Sequence, residues 1–126
     1  MGYRVVDPDG EPDSDDRPCD LRRLTASAGL SNVAVNRYRA TPGQQLPLAY
    51  HYHDEQEEAF FVVSGTMHVE TPERTYEVPA GSLFAADPDS PHRAYNAEDA
   101  DGDLTVLAVG APQTEGDAHA YDPEEP

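Results

Sequence analysis

From residue 32 onward, short apolar runs alternate with turn-forming residues, and no helical period is sustained. The runs fall at 33–40, 48–53, 58–64, 66–71, 75–78, 82–86, 92–96 and 104–110. The breaks between them carry Pro42-Gly43, Asp54 to Gln56, Ser64-Gly65, Thr71 to Glu73, Pro79 to Gly81, Asp87 to Pro91 and Glu98 to Asp103. These residue types preset turn dihedrals or bond their own backbone. Eight short strands with turns between them predict an all-β antiparallel sandwich or barrel. Upstream, residues 7–18 are mostly Asp, Pro, Glu, Gly and Ser and predict a loosely held arm. Asp20 is placed to cap a short helix over 21–28, its carboxylate accepting the first free N–H groups. The tail, 111–126, is polar and acidic and is expected to be mobile or to lie on the surface. The expected organisation is therefore an arm over 1–32, a barrel over 33–110 and an acidic tail over 111–126.

The two-residue period of a strand locates the candidate chemistry. His51 and His53 share one face, roughly 6.6 Å apart along the strand, so both imidazoles can lean toward one ion. Glu58 is five residues past His53, the wrong parity for one continuous strand. A turn must intervene, and Asp54-Glu55-Gln56 is well composed for it. The strand that returns brings one of two adjacent glutamates inward. Glu58 shares a face with Phe60 and Val62, and Glu57 shares the other with Ala59, Phe61 and Val63. Both faces are apolar, so a second cover is expected from a dimer partner, a second sheet or the arm.

Composition narrows the partners. The chain has 126 residues, 37% of them apolar, enough for one domain with one core. Asp and Glu number 25 against 8 basic residues, all arginine, for a net charge of −17. Such a surface repels nucleic acid and anionic lipid, so neither is an expected partner. It suits high salt, where repulsion is screened over about 3 Å at 1 M, and a halophilic source is expected. Cys19 stands alone, so no internal disulfide is expected. Met1 to Pro8 lack a basic segment followed by an apolar one, and no apolar run approaches the ~20 residues of a membrane helix. A cytoplasmic location is expected.

Two spaced motifs sharpen the picture. The first reads His51-Tyr52-His53, four residues, Glu58, six residues, Gly65. The second runs from Gly81 through Pro88 and Pro91 to His92 and Asn96. In both order and spacing, residues 33–110 resemble a small single-domain cupin. A glycine common six residues before the first histidine is replaced by Gln45, with Gly43 two positions earlier. The Pro-x-Gly positions carry Asp87 and Asp89, and aspartate tolerates the left-handed conformation better than most residues.

The resemblance implies a double-stranded β-helix, or jelly-roll barrel, with His51, His53, Glu58 and His92 binding a divalent metal inside it. Three imidazoles and one carboxylate suit Fe, Mn, Ni, Cu or Zn. A divalent ion leaves that site at +1, an anchor for an enolate or carboxylate in a negative protein, and a small-molecule ligand and a homodimer are expected. Metal-dependent dioxygenase, isomerase or decarboxylase chemistry is one reading. A non-catalytic binding or sensing domain is another, and a metal-free structural barrel a third, since fold does not dictate function. His68 is expected to pack or lie on the surface, His119 to have no role, and Asn96 to tie a strand end to a loop. Arg37, Arg39 and Tyr38 are candidates for recognising an anion, or else the arginines meet acidic surface groups. Cys19 is expected to be inert.

Overall fold

Ten short strands carry the regular structure of the computed structural model, which describes residues 2–13, 17–114 and 116–124. In chain order they are β1 (Asp20–Arg23), β2 (Ala34–Ala40), β3 (His51–His53), β4 (Glu57–Ser64), β5 (Thr66–Glu70), β6 (Thr75–Pro79), β7 (Leu83–Ala86), β8 (Arg93–Tyr95), β9 (Leu104–Ala111) and β10 (Ala118–Ala120). All pair antiparallel. One sheet has the order β1-β2-β9-β4-β7, a second β6-β5-β8, and β10 pairs with β3. A bridge between His51 and His92 joins β3 to the segment entering β8, so the smaller sheets meet edge to edge. No described helix is long and apolar enough to cross a membrane.

Alternation builds the interior. Phe60 and Val62 from β4, Leu104, Val106 and Ala108 from β9, and Met67 and Val69 from β5 point inward and pack as one cluster. Cys19, Ala40, Leu46, Val78 and Ala94 complete it. The other face of β4 is left partly bare by the described residues: Phe61, Val63 and, across the register, Leu83 are exposed.

The expected helix over 21–28 does not form; β1 and a turn take its place. Leu21, 1% exposed, lies opposite Tyr38 on β2, and strand pairing buries it where a short isolated helix has marginal stability. Bonds from the Ala28 N–H to Leu24 O and from the Leu30 N–H to Thr25 O close a single turn, with Gly29 at φ +68°. The run expected from residue 48 becomes a strand only at His51, because the Gln45 amide donates to Pro47 O and Leu48 O and holds that stretch as a loop. The tail is not wholly loose: Ala118–Ala120 adds a strand to β3.

Gly65, in the β4–β5 hairpin, adopts φ +83°, and a Cβ there would meet Asp103 O at 2.8 Å and Leu104 Cα at 3.1 Å. A left-handed conformation costs other residues about 1–2 kcal/mol, and the contact adds to that. Gly65→Ala is expected to lose about 2 kcal/mol or more in chemical unfolding, and a loss under about 0.5 kcal/mol would contradict this packing.

Candidate metal centre

The turn that parity requires after His53 is present, and it orients β4 so that Glu58 points inward beside the histidines. Glu58 Oε1 lies 3.1 Å from His53 Nε2, 3.0 Å from His92 Nε2 and 3.9 Å from His51 Nε2. Glu57 is exposed on the opposite face. His51 and His92 are cross-strand neighbours whose backbones exchange both hydrogen bonds, His51 N–H to His92 O at 3.2 Å and His92 N–H to His51 O at 2.9 Å. Their rings lie 4.8 Å apart.

The hydrogen bonds decide which ring nitrogens face inward. His51 Nδ1 is 3.0 Å from Ala49 O and His92 Nδ1 is 2.8 Å from Ser90 O. A carbonyl can only accept, so each Nδ1 carries the proton and each Nε2 presents a lone pair. His53 Nδ1 faces Asp117 Oδ2 at 3.5 Å, leaving its Nε2 toward Glu58. Asp117 is held in turn: Oδ1 accepts from the N–H groups of Asp54 and Glu55, and Oδ2 from Gln56. Burial works against its charge, but the Gln56 and Glu55 N–H groups keep its carboxyl below the usual range.

The donor set fits a cation. Glu58 Oε1 and His92 Nε2 are buried without a hydrogen bond among the described residues, an expensive arrangement unless something else meets them. His51, Glu58 and His92 have donor atoms within 4.8 Å of one another, a grouping suited to metal. Donors about 2.0–2.2 Å from one ion lie about 3–4 Å from each other, close to the spacings above. Burial raises the Glu58 carboxyl, but the His53 and His92 rings beside it outweigh this and bring it down to about 2. Burial, with His92 beside it, lowers the His51 imidazole, whereas the Glu58 carboxylate 3.1 Å away raises that of His53. Glu58 is thus a carboxylate ready to coordinate at neutral pH.

The loop before His92 keeps its shape despite its changed residues. Asp89 stands at φ +62°, the one non-glycine at positive φ among the described residues, and its N–H donates to His53 O at 2.7 Å. Aspartate fills the left-handed position, and the turn ties the second motif to the first. Asn96, 1% exposed, donates from Nδ2 to Ala40 O and Gly102 O at 3.0 Å each, tying a strand end to a loop.

The spacing, the inward carboxylate and the barrel point one way, and the Cupin domain family model matches residues 36–110. The chain belongs to the cupin family. No curated protein matches this cupin in sequence. Among solved structures, it is similar to a sugar phosphate isomerase of the cupin superfamily from Silicibacter pomeroyi, with TM-score 0.78 and 26% identity, covering 94% of this chain and 82% of that one. It is similar too to the polyketide cyclase RemF from Streptomyces resistomycificus, with TM-score 0.78 and 19% identity, covering 96% of this chain and 87% of that one. Against a longer structure from Acidithiobacillus ferrooxidans, 75% of this cupin aligns at 23% identity and TM-score 0.66, and it spans 60% of that chain's length.

Other candidates fall elsewhere. His68 stacks on Tyr95 at 5.5 Å and reaches Glu77 at 3.2 Å, away from the donors. Arg37 points to the outer face and pairs with Asp9 at 3.0 Å, and Arg39 shares its parity opposite Asp20, so neither reads an anion in the barrel. Tyr38, between them, faces inward with Asn36 and lines the cavity over the donors. Cys19 is buried, and burial pushes its thiol up to about 11, so it stays a neutral core group. His119 is not idle: its Nε2 lies 2.7 Å from Asp54 Oδ2, its ring sits 5.3 Å from Tyr52, and it lines the cavity. Sequence reasoning missed Asp117, Arg17 and β10. Each reaches the site from a polar terminal stretch without a period or motif to mark it.

Proposed function

We propose that His51, His53, Glu58 and His92 hold one divalent transition metal in this cupin and that the cavity over it takes a small organic substrate. The observation that carries the reading is the convergence of three Nε2 atoms on one buried carboxylate oxygen at 3.0, 3.1 and 3.9 Å. The cavity measures about 330 Å³, at the small end of the range for small-molecule sites. A bound ion supplies Lewis acidity and open coordination positions. The protein's own contribution is to fix the His51 and His92 tautomers through Ala49 and Ser90, to set the Asp117 carboxylate beside His53 Nδ1, to keep Glu58 ionised, and to wall the cavity with Phe60 and Leu46. Isomerisation or cyclisation is the favoured chemistry, as named for the two similar structures, with dioxygenase and decarboxylase chemistry beside it. Protein purified in high salt without chelator is expected to contain close to one transition metal per chain. Chain that stays metal-free after incubation with Fe, Mn, Ni and Zn would sink the proposal. Binding of small carbonyl compounds without turnover would favour the non-catalytic alternative.

Metal occupancy should depend on pH with a defined sign. Coordination needs neutral imidazoles, so protons compete with the ion. In the metal-free site the His53 imidazole is raised above its ordinary 6.5 by Glu58, so protons begin to oppose metal uptake above that value as pH falls, while Glu58 at about 2 stays ionised. Elemental analysis after desalting at steps from pH 8 to pH 5 should show loss across this window. An apparent metal affinity that does not fall between pH 8 and pH 5 would contradict the ligand set.

We also infer a high-salt, cytoplasmic setting and a homodimer. The net charge of −17 without lysine supports the first. Phe61 aligned with Leu83 and Leu107, beside Ala59 aligned with Val109, supports the second, because this outward row is apolar and partly bare. Sedimentation in high salt should give a dimer for the parent and a monomer for Phe61→Glu. A monomeric parent would remove the dimer from the reading.

A further inference from the structure

One charged side chain in the cavity plays no part in the donor set. Arg17 lines it, although Arg17 lies upstream of the 36–110 segment that the family model matches. The placement has a sequence cause. Arg17 shares parity with Cys19 and Leu21, both buried, and Cys19 Sγ lies 3.8 Å from Leu46 O, so the adjoining chain is anchored against the core. Arg17 Nε is buried and has no hydrogen-bond partner among the described residues. Arg22, Arg37 and Arg93 all meet carboxylates, Asp20 at 2.7 Å, Asp9 at 3.0 Å and Glu70 at 3.0 Å. A guanidinium N–H buried without an acceptor is costly, and although Arg37 also leaves Nε unmet, only Arg17 of these arginines borders the cavity that a ligand would fill.

The neighbouring groups suit the same ligand. Asn36 and Tyr38 present an amide and a phenol to the cavity from the inner face of β2. Burial pushes the Tyr38 hydroxyl up to about 12, Arg17 pulling it down and Glu58 pushing it up, so it remains a neutral hydrogen-bonding group. Apolar walls from Leu46, Pro47, Leu48 and Phe60 leave space between these polar groups for a short carbon skeleton. Arg17 brings one positive charge into the cavity of a chain carrying −17, so field and geometry select an anion there. A carboxylate matches one guanidinium in planar shape, and its single charge is neutralised by the one arginine.

We propose that the substrate of this cupin is a small carboxylic acid, and that Arg17 receives one of its carboxylates while the remainder lies toward His51, Glu58 and His92. This rests on the proposed function and names its substrate class. Arg17 then determines specificity, and Asn36 and Tyr38 supply neutral hydrogen bonds along the molecule.

The test compares succinate with butyrate, which have the same carbon chain and differ by one carboxylate. Each is titrated calorimetrically into zinc-loaded protein at one fixed salt concentration, since screening weakens charged contacts. The parent should bind succinate about ten- to a hundredfold more tightly than butyrate. Arg17→Gln should erase that advantage with zinc content unchanged, and Arg17→Lys should restore part of it. Equal binding of the two acids by the parent, or an advantage that survives in Arg17→Gln, overturns the inference. If Arg17→Gln does not fold, Arg17→Lys decides: an undiminished succinate advantage counts against the bidentate contact. A parent chain that takes up no zinc defeats the metal reading separately. Arg17-dependent succinate binding by that metal-free chain still upholds the inference, and its absence overturns it.

Discussion

His92→Ala is expected to leave the protein without bound metal. His92 is the most buried of the four proposed donors, its side chain 4% exposed. Its Nε2 lies 3.0 Å from Glu58 Oε1, and its Nδ1 is committed to Ser90 O. Altering groups that merely orient metal ligands typically lowers affinity 10–100-fold, so deleting a ligand should cost more than about 100-fold. Elemental analysis should fall from about one metal per chain to background. The backbone pair between His51 and His92 needs no side chain, so circular dichroism should show the parent's strand content. Two further variants make the result specific to register. Glu58→Gln should lose metal as well, whereas Glu57→Gln, altered on the solvent face, should keep it. Metal retained by His92→Ala, or lost from Glu57→Gln, would mean that the donors are not those assigned.

Phe60→Ala is expected to be the most damaging single change to stability. Phe60 is 5% exposed, packs 6.3 Å from Phe84 and sets its ring edge-on to His92 at 5.8 Å. Truncating a buried phenylalanine typically costs 3–5 kcal/mol. Part of this ring already borders the cavity, which places the expected loss near the lower end, about 3 kcal/mol. In a domain of this size that corresponds to a fall in Tm of roughly 10 °C or more. Phe60→Leu should lose only about 1 kcal/mol, because most of the volume is retained. Thermal unfolding of metal-free protein in high salt isolates packing from any contribution of the ion. A Tm fall under about 3 °C for Phe60→Ala would show that the ring is not the wedge between core and site described above.

The fold was legible wherever a strand is long enough to alternate. Phe60 and Val62 on β4, or Leu104, Val106 and Ala108 on β9, declare one buried face through their spacing alone. Parity required a turn after His53 and left Glu57 and Glu58 both open; the motif spacing chose Glu58, which β4 points inward. The ends of the chain were harder. β1 and β10 are four and three residues long, too short to show a period, and their strand character comes from partners 13 or more residues away. Leu21 becomes a strand residue because Tyr38 lies opposite it, which no local propensity encodes. Asp117 is one of 25 acidic residues, and nothing in its surroundings marks it as the one that caps three backbone N–H groups and faces His53. Arg37 and Arg39 attracted attention through their charge, yet parity sends them outward and leaves Tyr38 inside.

The entry of both chain ends into the cavity separates two kinds of inheritance. All four proposed donors and most of the packed interior lie within residues 36–110, whereas Arg17 and the strand from Ala118 to Ala120 lie outside it. Substitutions at those ends can remodel the chamber without disturbing the strands that position His51, His53, Glu58 and His92. A lineage built this way can exchange one small molecule for another by altering its margins while its centre stays intact. Directed diversification of this scaffold should begin at position 17 and at 118–120, and leave the barrel strands alone.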